Sequence, residues 1–167
     1  MREALREASA AFAEDEVPVG AVVVHAGVIV ARGHNQIERL KDPTAHAEML
    51  ALTSAASALG SKWLQQADIY VTIEPCAMCA GALVLARIKN LYFGAADPKT
   101  GACGSVVNIV NHQKLNHRVK VTAGILEAEC SSLLKEFFKE KRRKACTNTD
   151  FTGLSTKRRK AQCEITP

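Results

Sequence analysis

Apolar positions change period several times along the first 143 residues, and each change marks a new element. In Met1 to Asp15, Leu5, Ala8 and Phe12 recur at helical spacing with charges between them, which predicts a first helix. Val17 to His25 is rich in Val, Ala26-Gly27 is a tight turn, and Val28 to Arg32 is apolar again. That pattern predicts two strands joined as a hairpin. Gly33 to Pro43 is polar and reads as a loop, and Thr44 to Leu59 is dense in Ala, Leu and Met up to Gly60, which predicts a second helix. Asp68 to Ile73 predicts a third strand. Pro75 is suited to a first helical turn and opens a helix to about Arg87. Leu91 to Gly94 is a short fourth strand, Asp97 to Gly101 a structured loop with Gly104 beyond it, and Val119 to Thr122 a fifth strand. Leu126, Cys130, Leu133, Leu134 and Phe137 mark one face of a last helix.

This order, a helix, a hairpin, then alternating strands and helices, predicts an α/β fold: a three-layer α/β/α sandwich around a central five-stranded mixed sheet. Apolar periodicity fades beyond about Arg143. The expected organisation is one domain over 1–143 and a tail over 144–167, with Thr147 to Pro167 disordered.

Composition narrows the class. A chain of 167 residues fits one core, and 47% hydrophobic with 23% charged residues is ordinary for a soluble globular protein. No apolar run is long enough to span a bilayer, and Met1-Arg2-Glu3-Ala4 opens without the apolar stretch of an export signal. The expectation is a cytoplasmic protein with no membrane partner. In that setting the six cysteines are reduced thiols, and a tight pair such as Cys76 and Cys79 binds metal or does redox chemistry. The net charge of +5 is unevenly placed: Lys139 to Pro167 holds nine Lys or Arg against three Asp or Glu, which leaves 13 against 14 before it. A solvated tail is the ordinary meaning of such a run, and an acidic partner such as a nucleic acid is the second. For Lys141, Arg142, Arg143 and Lys144 the same two readings stand, a solvated helix end or phosphate contact.

Two short strings carry the chemistry: His46-Ala47-Glu48 and Pro75-Cys76-Ala77-Met78-Cys79. Each falls where a helix is expected to begin. Cysteines three apart in a first helical turn point the same way, and the positive end of the helix favours the metal-binding thiolate. With an imidazole from His46 they form a Cys2His set of the kind zinc prefers. No fourth Cys or His stands at a companion spacing. A catalytic zinc leaves that vertex to water and lowers its pKa, whereas a structural zinc fills it with protein. Glu48 lies about 200° around an ideal helix from His46, so the two reach one cavity only from a helix N-terminus; His46 is therefore placed in the first turn. There Glu48 acts as general acid/base and not as a ligand.

These strings resemble the signature of the cytidine deaminase superfamily, H-x-E followed by P-C-x-x-C. A closer resemblance, to the bacterial tRNA-specific adenosine deaminases, extends over nearly all of 1–143. It is carried by Glu16 to Val22, Asp42 to Glu48, Glu74 to Ala82, Asp97 to Gly101 and Asn116 to Val119. The resemblance implies conversion of the wobble adenosine of a tRNA anticodon, notably an arginine tRNA, to inosine, by attack at C6 of adenine with Glu48 managing protons. It also implies one Zn2+ per subunit and a homodimer with the RNA site near the interface. Asn35 matches a base-contacting Asn, and an amide suits a purine edge because it both donates and accepts. Pro18, Val19 and Ala47 match the surroundings of the base, Asp97 and Lys99 a loop touching neighbouring nucleotides, and Phe138 an aromatic near the bound RNA. Where that family often has an Arg shortly after the Asn, Ile37 and Glu38 stand here, with Arg39 the nearest cation.

Two rivals remain at this stage. One is a free-base or nucleoside deaminase, acting on guanine or cytosine with the same zinc chemistry. The other is a non-catalytic RNA-binding subunit that keeps zinc for structure; Glu48 argues against it, because a closed site has no use for a carboxylate beside it.

Overall fold

The computed structural model describes residues 1–148, with side chains through residue 145. Five strands form one sheet in the order β2-β1-β3-β4-β5. The hairpin strand β1 (Gly20–His25) lies antiparallel to both β2 (Val28–His34) and β3 (Ala67–Ile73). Beyond β3, the strands β4 (Asn90–Ala95) and β5 (Lys120–Thr122) continue in parallel, so the sheet is mixed.

Two glycines identify what covers each face. A Cβ on Gly20 would collide with the Ala4 carbonyl and the Ala8 nitrogen, so α1 (Arg2–Ala13) lies directly on that face. A Cβ on Gly33 would come within 2.6 Å of the Ala47 carbonyl oxygen, so α3 (Ala47–Leu59) lies directly there. Gly33 pairs with Ala21, the chain neighbour of Gly20, and successive strand residues face opposite sides. The two helices therefore sandwich the sheet. On the α1 side, Phe12 meets Phe137 of α5 (Glu127–Asn148) edge to face, with ring centroids 5.5 Å apart. On the α3 side lies α4 (Ala77–Leu85). The main core fills the space between these two helices and the sheet: Ala51, Leu52 and Ala55 of α3 and Ala80, Leu83 and Val84 of α4 pack on Ala21, Val23, Ile69, Val71, Leu91 and Phe93. The three-layer sandwich read from the sequence is the fold.

Element boundaries differ from the sequence reading in instructive ways. The face of α1 that is buried is Ala4, Ala8 and Ala11 instead of Leu5, Ala8 and Phe12, because contact with Gly20 admits only small side chains. The first strand begins at Gly20 and not Val17, since Pro18 has no N–H for the ladder and the Val19 N–H is taken by the Val17 carbonyl at 2.7 Å. The stretch read as a plain loop continues β2 to His34 and holds a single turn, α2 (Ile37–Leu40). Helix α3 starts at Ala47 instead of Thr44, because Asp42 accepts hydrogen bonds from the Thr44 N–H and hydroxyl and fixes a turn there. Likewise α4 starts at Ala77, and Pro75 stands outside it.

Residues 1–137 form one compact unit and residues from Phe138 onward a second, whose described part is the continuation of α5. That helix runs through Asn148, so Thr147 and Asn148, expected in a structureless tail, are helical. The remainder of the expected disordered tail, 149–167, lies outside the described residues. Among the described residues no helix is long and apolar enough to cross a membrane.

Candidate active site

His46 and Cys76 occupy equivalent positions. Each is the residue just before a helix, with extended backbone (ψ 152° for His46 and 175° for Cys76), and each helix then runs into the core. His46 thus stands one position outside the first turn where the sequence placed it. Its carbonyl already accepts from the Leu50 N–H, and that of Cys76 from Ala80. Because α3 and α4 are packed side by side, their two N-termini bring these residues to one point, and Cys79 reaches it from one turn into α4. The His46 Nδ1 lies 3.8 Å from the Cys76 Sγ and 3.6 Å from the Cys79 Sγ, and the three donor atoms all fall within 4.8 Å of one another. Among the described residues these three form the group that can share an ion.

The donor set fits zinc. Bonds of about 2.0–2.1 Å to nitrogen and about 2.3 Å to sulfur at tetrahedral angles place such donors about 3.6 Å apart, close to the separations found. Cys76 is held as a thiolate, with its pKa at about 3, by hydrogen bonds from the Cys79 thiol and from His46. The same contact with Cys76 raises the pKa of His46, and Cys79 is pushed up because it donates to Cys76 and is buried. Metal binding needs deprotonated sulfurs and a neutral imidazole, so an ion at this cluster would displace protons from it.

Glu48, in the first turn of α3, is 2% exposed. Burial raises its carboxyl pKa, against the opposing pull of its own backbone N–H and of His46. One of its oxygens, Oε2, is the buried side-chain polar atom left without a hydrogen-bond partner among the described residues. A buried oxygen in that state costs free energy unless something in the working site uses it. The carboxylate is therefore positioned for a group that arrives with the metal or the substrate.

Around this cluster the structure gathers several of the remaining candidates. Asn35 is buried at the end of β2; its backbone N–H bonds to the Val19 carbonyl at 3.0 Å, which joins it to the Pro18-Val19 segment. The next residue, Gln36, bonds through its N–H to the Ala45 carbonyl at 3.0 Å and ties this strand end to the His46 turn. Ala47, fully buried, sits between His46 and Glu48. The Asp97 carboxylate is committed to its own loop, with Oδ1 accepting the N–H groups of Lys99 at 2.8 Å and Thr100 at 3.2 Å, while Lys99 is exposed. Asp97 thus shapes the loop that presents Lys99. Phe138 opens the second unit, apart from this cluster's own unit, and its ring is exposed.

Two buried carboxylates had no role in the sequence reading. Glu16 accepts from the Asn35 Nδ2 at 3.3 Å and from the Arg39 N–H at 2.7 Å, and so orients the Asn35 amide. Glu74, at the end of β3, accepts the N–H groups of Asp97, Cys103 and Ser105 and the Ser105 hydroxyl. The signal available was an acid at the edge of an apolar run with a proline within two positions, Pro18 after Glu16 and Pro75 after Glu74.

The chain matches the MafB19-like deaminase family over residues 1–142. It is 48% identical over 144 residues to the tRNA-specific adenosine deaminase of Bacillus subtilis (strain 168), covering 86% of this chain and 89% of that one. To the tRNA-specific adenosine deaminase of Aquifex aeolicus (strain VF5) it is 53% identical over 142 residues, covering 85% and 93%. Among solved structures it is similar to one from a study of A-to-I editing by tRNA deaminases at the wobble position of transfer RNA. That match has a TM-score of 0.78 and 46% identity, over 80% of this chain and 97% of that one. The guanine deaminase of Nitrosomonas europaea is a more distant match, with a TM-score of 0.71 and 25% identity over 80% of each chain. With the fold, the ligand cluster and these identities in agreement, the chain belongs to the tRNA-specific adenosine deaminases of the MafB19-like deaminase family.

Proposed function

We propose that this protein hydrolytically deaminates adenosine to inosine at the wobble position of a tRNA anticodon, that of an arginine tRNA, as a cytoplasmic homodimer with one zinc ion per subunit. The deaminase domain spans 1–143 and the basic tail 144–167. The observation that carries the reading is the pairing of an open three-donor cluster with a buried carboxylate whose Oε2 has no partner.

His46, Cys76 and Cys79 would hold the zinc. When bound, zinc supplies the Lewis acid that makes water nucleophilic near neutral pH. Glu48 takes a proton from the attacking water at Oε2 and delivers it to N1 of the adenine ring as the bond from oxygen to C6 forms. It then takes the second proton from the hydroxyl now on C6 and passes it to the amino group, whose bond to C6 breaks so that ammonia leaves and the C6 carbonyl of inosine remains. Its raised pKa, a consequence of burial, suits a group that must both accept and donate. Asn35, held by Glu16, offers its amide to the purine edge. Pro18, Val19 and Ala47 enclose the base. Lys99 pairs with a phosphate beside the target nucleotide, and Phe138 offers a ring for stacking. An anticodon loop suits such a site because its bases leave the stack more readily than those of a duplex.

The test is inosine formation on a synthetic arginine-tRNA anticodon stem-loop, with and without chelator, beside free guanine as a competing substrate. Inosine that disappears with chelation and returns with zinc is the expected result. Turnover of guanine without inosine in the stem-loop would replace the reading with that of a free-base deaminase. No turnover of either, with zinc present, would leave a non-catalytic RNA-binding subunit.

A further inference from the structure

Glu74 is a buried carboxylate that the chemistry above does not use. It is 2% exposed and leaves β3 two residues before the ligand Cys76. Its Oε1 accepts the Cys103 N–H at 2.9 Å and the Ser105 N–H at 3.1 Å. Its Oε2 accepts the Asp97 N–H at 3.1 Å and the Ser105 hydroxyl. Four donors from one loop converge on a single side chain. The loop is also joined directly to the ligand turn: the Ala102 N–H donates to the Pro75 carbonyl at 2.9 Å, and Gly101 forms a bridge with Cys76 itself. A Cβ on Gly101 would sit 2.5 Å from the Glu74 Cδ and 2.5 Å from the Asp97 carbonyl oxygen, so the loop is drawn onto the carboxylate as closely as sterics allow.

We propose that Glu74 is a positioning residue that locks the Asp97–Ser105 loop to the Cys76 turn, so that Lys99 and the metal ligand are presented to the substrate as one rigid unit. Resting on the deaminase reading above, this makes the loop part of the site's fixed architecture. The carboxylate is required chemically because every partner is a donor. An amide at this position would turn an NH2 group towards N–H groups, and a protein oxygen able to replace the missing acceptor would have to come from elsewhere. The side chain acts through the loop and touches no reacting atom.

The test compares the zinc-loaded, full-length chain with Glu74→Gln and with Ser105→Ala, the latter removing a single donor and serving as the milder variant should Glu74→Gln fold poorly. Hydrogen exchange is measured by mass spectrometry, and KM and kcat are measured on the anticodon stem-loop. In Glu74→Gln, peptides covering Asp97 to Ser105 should exchange about tenfold faster while β1 and β3 keep their protection, and KM should rise about tenfold, by a larger factor than kcat falls. Ser105→Ala should shift both quantities in the same direction by a smaller factor. Lys99→Ala should raise KM less in the Glu74→Gln background than in the unmodified chain, because a loosened loop no longer holds Lys99 against the phosphate. Loop exchange unchanged in both variants overturns the lock. Faster loop exchange with KM unchanged, or with Lys99→Ala fully additive, leaves Glu74 a stabilising residue and overturns the positioning role. If the unmodified chain forms no inosine in the stem-loop, the tRNA reading fails separately, and the exchange pattern alone decides whether the lock exists.

Discussion

A carboxylate with an unpartnered buried oxygen is a costly residue to keep, and the cost marks Glu48 as a group with work to do. Being outside the donor cluster, it should be dispensable for metal binding: Glu48→Ala should hold one zinc per chain while turnover falls by about 10²–10⁴-fold, the usual contribution of a positioned acid/base. Metal analysis of the purified variant beside its rate decides this, because metal lost in parallel with activity would make Glu48 a ligand. The neighbouring carboxylate Glu74 has the opposite electrostatics. Burial pushes its pKa up, yet the hydrogen bonds from the Ser105 hydroxyl and N–H and from the Asp97 and Cys103 N–H groups outweigh that and hold it below the ordinary value of 4.5. A depressed native pKa means the charged form stabilises the fold; the contribution is complete above pH 4.5 and is lost as pH falls through the native value. The stability gap between the unmodified chain and Glu74→Gln, read from urea midpoints, should therefore be widest near pH 6 and narrow towards pH 3. A gap independent of pH would show that the charge of Glu74 does not matter.

At the scale of elements, the two helix layers are set by two glycines, and they predict different failures. Gly20→Ala would drive a methyl into α1, which carries none of the site, whereas Gly33→Ala would drive one into the first turn of α3, which carries Ala47 and Glu48 and follows His46. Both should destabilise by about 1–3 kcal/mol, as overpacking does. Only Gly33→Ala should also weaken zinc retention and turnover, measured against chelator concentration; equal retention in both would mean that α3 absorbs the methyl without moving its N-terminus. The sequence made much of this visible. The shift from alternating to helical periodicity defined all five strands and the four long helices, and the spacing of His46, Cys76 and Cys79 identified the donor set. What periodicity could not show was where each helix starts. His46 and Cys76 stand just outside their helices because local turns, such as that of Asp42 on Thr44, compete with the first helical bonds. Nor could it show the roles of Glu16 and Glu74. The Glu74 partners lie 23, 29 and 31 residues away and are mostly backbone N–H groups, which every residue but proline possesses, so no pattern of residue types announces them.

At the scale of the whole molecule, the distribution of charge sets how a polyanionic substrate is drawn in. Residues 1–138 carry 13 cationic and 14 anionic side chains, so they exert no net long-range attraction, and the surplus of the chain lies in Lys139 to Pro167. Under the proposed function, specific contact and non-specific attraction fall to different parts of the chain. The Asp97 loop, Asn35 and Glu48 would select a nucleotide at short range, while the basic segment would supply charge that displaces counterions when RNA binds. Truncation after Arg143 removes five of the nine Lys or Arg of that segment together with two of its three acids. Urea unfolding of residues 1–143 should match that of the full chain, since the core residues of the sandwich among the described residues all precede this point. Stem-loop affinity should fall at low salt, and the slope of log affinity against log salt should become shallower by about 0.7 for each phosphate that the truncated chain leaves unneutralised. Near 1 M salt, with a screening length of about 3 Å, the two chains should bind alike, because what remains there is the short-range recognition they share. An unchanged slope would place the electrostatic attraction in the first 143 residues despite their balance of charge, with exposed cations such as Lys99 and Arg118 acting locally.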